Sequence, residues 1–232
     1  MRRRSILGLV AATAALGACV PRSVHLAPTD GNGARGYVLL LRGMGNIFST
    51  GIDTLAGRVA AAGFEAEVRN HTAWRSMTER LIADERAGRL QRPFALIGHS
   101  LGADDAIHMA TALGRAGIPV DLLLTIDPTW VDSVPPGPRR VVNIFQTYDV
   151  WGDALTAGPG FDGTLENIDV TDGTRMNHFN IHKDDAVHAR AIAILNTMGQ
   201  VPAAAPRQAA TTTPRAPGAT PAAIGRPIAA AR

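Results

Sequence analysis

Ser100 stands in Gly98-His99-Ser100-Leu101-Gly102, between the apolar run Phe94-Ala95-Leu96-Ile97 and a helix-competent run rich in Ala, Met, Ile and Leu. Strand, sharp turn and helix is the setting in which a G-x-S-x-G pattern presents a serine hydroxyl at a strained nucleophile elbow. Gly98 and Gly102 have no side chains, so the turn and the next helix can approach closely. The serine also sits where a helix begins, and there backbone N–H groups and the dipole favour a developing negative charge. The chemistry that fits is covalent attack by the hydroxyl on a carbonyl carbon.

A serine hydroxyl is a poor nucleophile until a positioned base takes its proton. The chain offers His25, His71, His99, His108, His178, His182 and His188. His99 lies inside the elbow and is expected to point away from the site. His108 falls on the elbow helix. His178 falls in a loop after the last expected strand, the place from which a base reaches Ser100. His182, close to the closing helix, is the second choice. A carboxylate must hold the imidazole tautomer and stabilise the imidazolium. Asp127 and Asp149 each end an apolar strand, and each would otherwise cap a turn or helix. Asp127 directly ends the more strongly apolar run, so it is expected to be held rigidly.

The spelling GHSLGA after a buried strand resembles the α/β-hydrolase superfamily, and its small bacterial serine esterases and lipases most of all. The similarity in element order runs from about Tyr37 to Met198. The resemblance implies a single α/β domain, a mostly parallel sheet with helices on both faces. It implies the chain order Ser…Asp…His, which selects Ser100, Asp127 and His178 as the triad. Thr125-Ile126-Asp127-Pro128 is similar to the Leu-Asp-Pro context of pancreatic-type lipases. Asp149, after the strand that commonly carries the acid in the superfamily, remains the alternative. The loop after the first central strand usually reads His-Gly-x and supplies one oxyanion N–H. Here it reads Arg42-Gly43-Met44, so the oxyanion donors implied are the N–H groups of Met44 and Leu101.

The elements that must position these groups follow from periodicity. Gly36–Leu41 reads as a buried central strand. Ser49–Ala62 has apolar residues at helical spacing and ends at Gly63. Phe64–Asn70 alternates as an edge-side strand would. His71–Trp74 starts the next helix; His71 and Trp74 could line a pocket, but a capped helix start is favoured. After the elbow helix come strands at Val120–Ile126, Val141–Tyr148 and Leu165–Val170, then a closing helix at Ala186–Met198. Strands alternating with helices imply a parallel sheet covered on both faces. Asp104 and Asp105, at the start of the elbow helix, read as dipole partners. His182, Asp184, Asp185 and His188 read as helix-terminal residues rather than a metal site. No metal and no cofactor are expected.

The ends of the chain differ from the middle. Arg2-Arg3-Arg4, a short apolar segment and Leu16-Gly17-Ala18-Cys19 resemble a bacterial lipoprotein signal with its lipobox. That resemblance implies export and acylation of Cys19, the single cysteine. Residues 1–18 are then a signal peptide, 19–35 a linker, 36–200 the hydrolase domain and 201–232 a disordered Ala/Pro/Arg tail. Val20 after the cysteine points to the outer membrane, with the protein facing the periplasm. The net charge is +3, but three arginines in the leader and four in the tail leave −4 for the rest. No basic stripe with interleaved aromatics crosses the middle, which argues against nucleic acid. The expected partners are a small ester or acyl substrate and, through the anchor, a membrane. The expected function is an envelope serine hydrolase of esters or thioesters, acting through an acyl-enzyme. Acyl transfer to an acceptor other than water is a variant of it, and a non-catalytic lipoprotein using the fold to bind is the competing class. The short connection from Asp127 to Val141 argues against a large lid.

Overall fold

The computed structural model describes residues 23–44, 49–171 and 176–198. The elements in chain order are β1 (Ser23–Leu26), β2 (Tyr37–Arg42), α1 (Gly51–Ala61), β3 (Glu65–Asn70), a 3₁₀ turn (His71–Ala73) and α2 (Trp74–Arg86). There follow β4 (Phe94–His99), α3 (Leu101–Arg115), β5 (Leu122–Ile126), β6 (Ser133–Val134) and β7 (Arg140–Phe145). The last are β8 (Thr156–Ala157), β9 (Thr164–Asp169), a 3₁₀ turn (Ile181–Lys183) and α4 (Asp185–Asn196).

Seven strands form one sheet in the order β1-β3-β2-β4-β5-β7-β9. All neighbours run parallel except β1, which is antiparallel to β3. The apolar runs become the centre: every residue of β2, β4 and β5 is buried. Alternation then divides them between two cores. Val38 and Leu40 face α1 and α4, packing with Ile52, Leu55, Val59, Ala191 and Leu195. Leu39 and Leu41 face α2 and α3, packing with Met77, Leu81, Ile107 and Ala110. Each such fully buried aliphatic side chain contributes about 1.5–3 kcal/mol relative to exposure. Helices therefore cover both faces, as the alternation of elements predicts, and the fold is of the α/β-hydrolase kind.

Two expectations change. Val24–Arg35 reads as linker, yet Ser23–Leu26 is the edge strand β1, with Val24 and Leu26 packed against the core. Its Ser-Val-His-Leu alternation is real but only four residues long, and pairing with β3 rather than local propensity makes it a strand. As a result β3 is not the edge. The leader, Cys19 and the tail from Val201 lie outside the described residues.

Candidate active site

The elbow is built by close backbone approach. A Cβ on Gly98 would collide with the Gly102 carbonyl, and one on Gly102 would collide with the Leu41 carbonyl. The β4–α3 junction can therefore pack against β2 only with glycine at both positions. Ser100 itself has φ 58° and ψ −131°. A non-glycine residue at positive φ costs energy that the surrounding packing must offset, and such positions cluster at functional sites. The turn aims Oγ at the C-terminal end of the sheet.

Three side chains from three connections converge there. Ser100 Oγ lies 2.9 Å from His178 Nε2, and His178 Nδ1 lies 2.9 Å from Asp127 Oδ2. All three residues are buried. A carboxylate can only accept, so Nδ1 carries the proton and Nε2 is left as the acceptor for the serine hydroxyl. Asp127 also has positive φ, 51°, directly after β5. Its carboxylate takes two more hydrogen bonds, from the Gln146 backbone N–H at 3.2 Å and from Gln146 Nε2 at 2.9 Å.

Asp149 occupies a different place. Its Oδ2 accepts the backbone N–H of His178 at 2.8 Å, and its Oδ1 accepts from Gln146 Nε2 and the Trp151 N–H. Burial alone would raise its pKa; the bonds from His178 N–H, Gln146 and Trp151 N–H outweigh that and hold it below the usual carboxylate value. The two carboxylates that the sequence left open thus divide between them: Asp127 meets the imidazole, and Asp149 meets the backbone that carries it.

The two backbone N–H groups that the resemblance names as oxyanion donors follow β2 and the elbow. Leu101 is the first residue of α3, where N–H groups have no partner within the helix. A Cβ on Gly43 would come within 3.1 Å of Ser100 Cβ, so the loop holding Met44 runs directly beside the serine. Arg42, where the resemblance implies histidine, does not reach the site. Its guanidinium is buried and bonds Asp53 in the first turn of α1, with Nε 3.0 Å from Oδ2.

His99 does not turn away from the site, as the sequence suggested; it packs behind His178 with ring centroids 5.0 Å apart. His99 Nε2 is 3.0 Å from the His178 carbonyl, an acceptor, so Nε2 must donate. Its Nδ1 then accepts from Ser49 Oγ at 2.9 Å, and Ser49 Oγ accepts the Gly43 N–H at 3.0 Å. One chain of hydrogen bonds thus ties the loop beside Met44 to the loop that carries His178. Burial, reinforced by His182 and His178, depresses the His99 pKa well below normal, which keeps the ring neutral as this polarity requires.

The other candidates fall elsewhere. His182 is buried and accepts the Gly51 N–H through Nδ1 at 3.1 Å, and His188 Nε2 donates to the His182 carbonyl at 2.8 Å. Among the described residues no group of side chains is arranged to hold a metal ion. His71 bonds Asp105 at 2.9 Å, and Asn70 caps the turn by accepting the Thr72 N–H; His71 and Trp74 line a separate pocket with His108 and do not border the one at Ser100. Asp104 is more than a dipole partner: its buried carboxylate accepts the N–H groups of Thr129, Trp130 and Val131 and fixes the loop after Asp127. Desolvation raises its pKa despite those bonds. Gln146, Ser49 and the loop-holding role of Asp104 escaped sequence reasoning; a signal was available only for Gln146, a polar residue directly after the apolar strand β7.

Beside the serine is a pocket of about 210 Å³. Met44, Leu101, Trp130, Trp151 and Phe179 line it, with Thr129 Oγ1 3.3 Å from Ser100 Oγ. The wall is apolar almost throughout, which suits an acyl chain.

A family model for the thioesterase domain matches residues 46–140, a stretch that includes Ser100 and Asp127. Among solved structures, the chain is similar to esterase 2 of Thermogutta terrifontis in its apo form, with a TM-score of 0.55 at 9% identity, covering 80% of this chain and 91% of that one. It is similar to RedJ with a PEG molecule in its active site, with a TM-score of 0.52 at 17% identity over 78% and 99% of the two chains. It is also similar to a soluble variant of the monoglyceride lipase of Saccharomyces cerevisiae, with a TM-score of 0.52 at 11% identity over 75% and 89%. No curated protein sequence matches. The fold is that of the α/β-hydrolases. The thioesterase-domain match over residues 46–140 supports an enzyme of the serine-hydrolase type.

Proposed function

We propose that this protein cleaves a carboxylic ester or thioester through an acyl-enzyme at Ser100, in the bacterial envelope, held there by lipid on Cys19. The observation that carries the chemistry is the buried line of hydrogen bonds from Ser100 through His178 to Asp127, opening on an apolar pocket. Ser100 Oγ bonds to the acyl carbon while its proton passes to His178 Nε2. The carbonyl oxygen, now negative, is received by the N–H groups of Leu101 and Met44. His178 returns the proton to the departing alcohol or thiol as its bond to the acyl carbon breaks. Water then repeats the sequence, and the free acid leaves with Ser100 restored. The thioesterase-domain match supports a thioester, and the apolar pocket wall suits the acyl part of either.

The location rests on Arg2-Arg3-Arg4, the apolar segment and Leu16-Gly17-Ala18-Cys19. More than one acyl chain, each buried CH₂ being worth about 0.8 kcal/mol, would hold the protein firmly. The deciding experiment assays p-nitrophenyl esters and acyl thioesters of several chain lengths with the wild type and Ser100→Ala. Loss of kcat on the order of 10⁶ is expected for a serine triad. Esterase activity retained by Ser100→Ala, or none in the wild type on any acyl length, would overturn the assignment.

A further inference from the structure

Every large apolar side chain that the described residues leave exposed lies at one end of the molecule: Met44, Trp130, Tyr148, Val150, Trp151 and Phe179. Each follows the C-terminal end of a parallel strand, in the loops that surround Ser100. Val150 is 93% exposed and Trp130 75%. Trp130 meets Trp151 edge to face, and Trp151 meets the His178 ring, so the patch is continuous with the pocket mouth. A cluster of exposed apolar side chains at one end of a domain marks a surface that something covers.

The topology indicates what covers it. The antiparallel β1 begins at Ser23, opposite Arg69, and ends at Leu26, opposite Ala66. Arg69 is level with Leu41, and Leu41 with Gly98. The chain therefore enters β1 from the Ser100 end of the sheet. Cys19 is four residues before Ser23, a reach of at most about 14 Å. Three strand spacings separate β1 from β4, again about 14 Å. An acyl anchor on Cys19 is thus tethered within reach of the same end as the apolar rim.

We propose that the Ser100 end of the domain sits on the bilayer that holds the Cys19 anchor, with Trp130, Tyr148, Val150, Trp151 and Phe179 in its interface. The substrate is then an acyl ester or thioester of an amphiphile drawn from that membrane. This rests on the anchor and the hydrolase activity proposed above. Tryptophan and tyrosine favour the interfacial zone, and a short tether keeps the rim at high effective concentration beside the lipid. An acidic carrier protein fits less well, because exposed Asp132 and Asp153 flank Trp130 and Trp151.

The test uses the full acylated chain, recovered from membranes and reconstituted into phosphatidylcholine vesicles whose acyl chains carry bromine. Trp74, Trp130 and Trp151 are the three tryptophans. Emission should be quenched, should stay quenched in high salt, and should lose most of its quenchable part in the Trp130→Phe, Trp151→Phe double variant. Emission from Trp74 in that variant reports that the fold is kept. Unquenched emission from the anchored protein overturns the proposal, whether the rim is then found against a second copy, against a carrier, or in water. Absence of a fatty-acid label on Cys19 overturns it as well. Fluorophosphonate labelling of Ser100 in the same sample reads the activity separately: quenching without labelling upholds the orientation and overturns the hydrolase.

Discussion

Asp127→Asn replaces one oxygen by NH₂ in a carboxylate that accepts three hydrogen bonds. All three partners are donors, so the amide must turn its NH₂ toward one of them. Facing His178, it forces Nδ1 to accept and puts the proton on Nε2, where it blocks the serine. Facing the Gln146 N–H, it keeps the tautomer but removes the charge that stabilises the imidazolium. Asparagine tolerates the left-handed backbone of this position, so the variant should fold. The expected loss in kcat is about 10⁴, by analogy with a triad altered in the same way. Asp149→Asn touches only the His178 backbone N–H and the Gln146 and Trp151 donors. A hydrogen bond to a charged group contributes about 1.5–3 kcal/mol, or roughly ten- to a hundredfold in rate. Steady-state kinetics on p-nitrophenyl butyrate, with circular dichroism melts as the folding check, measures both. Equal losses, or a larger loss at Asp149, would refute the division of labour between the two acids.

Ser49→Ala breaks the link between the Gly43 N–H and His99; kcat should fall by about tenfold with KM little changed, and an unchanged kcat would show that the link does not position the site. Gly152→Ala puts a Cβ into Asp127 Oδ1 and the Gln146 carbonyl, so kcat and the melting temperature should drop together; normal activity would mean that the carboxylate has more room than described. Glu67 is buried and bonded by Arg80, Tyr37 and Arg69, which outweigh desolvation and lower its pKa from 4.5 to about 2. A depressed acid stabilises the fold above its unfolded pKa and loses that contribution as pH falls through the folded one. Stability should therefore decline from about pH 4.5 downward by up to about 3 kcal/mol, and Glu67→Gln should remove that decline; identical acid melts for both proteins would reject the role.

The chain of the site was legible where chemistry and backbone geometry constrain each other. Gly98 and Gly102 flank Ser100 because nothing larger fits, and a strand so apolar as Leu122–Ile126 has to be central, which fixes Asp127 at its end. His178 could be chosen because a base must come from a loop at that end. The supports were not legible. Gln146 and Ser49 do not titrate, and only the fold brings Ser49 to His99. Asp104 looked like a helix-terminal acid because sequence spacing does not reveal the loop that crosses above it. β1 was hidden for another reason: four half-buried residues carry too little periodicity, and pairing with β3 decides their state. The rim of Trp130, Val150, Trp151 and Phe179 is scattered across three loops, so its continuity exists only in the folded chain.

The central claim is that Ser100 is an activated nucleophile, and covalent capture tests it most directly. The protein is incubated with a fluorophosphonate, and intact-mass and peptide spectra are recorded for the wild type, Ser100→Ala and His178→Ala. A single adduct on Ser100 in the wild type, with none in either variant, is the predicted result. No adduct in a folded wild type, or an adduct that persists in Ser100→Ala, would contradict it.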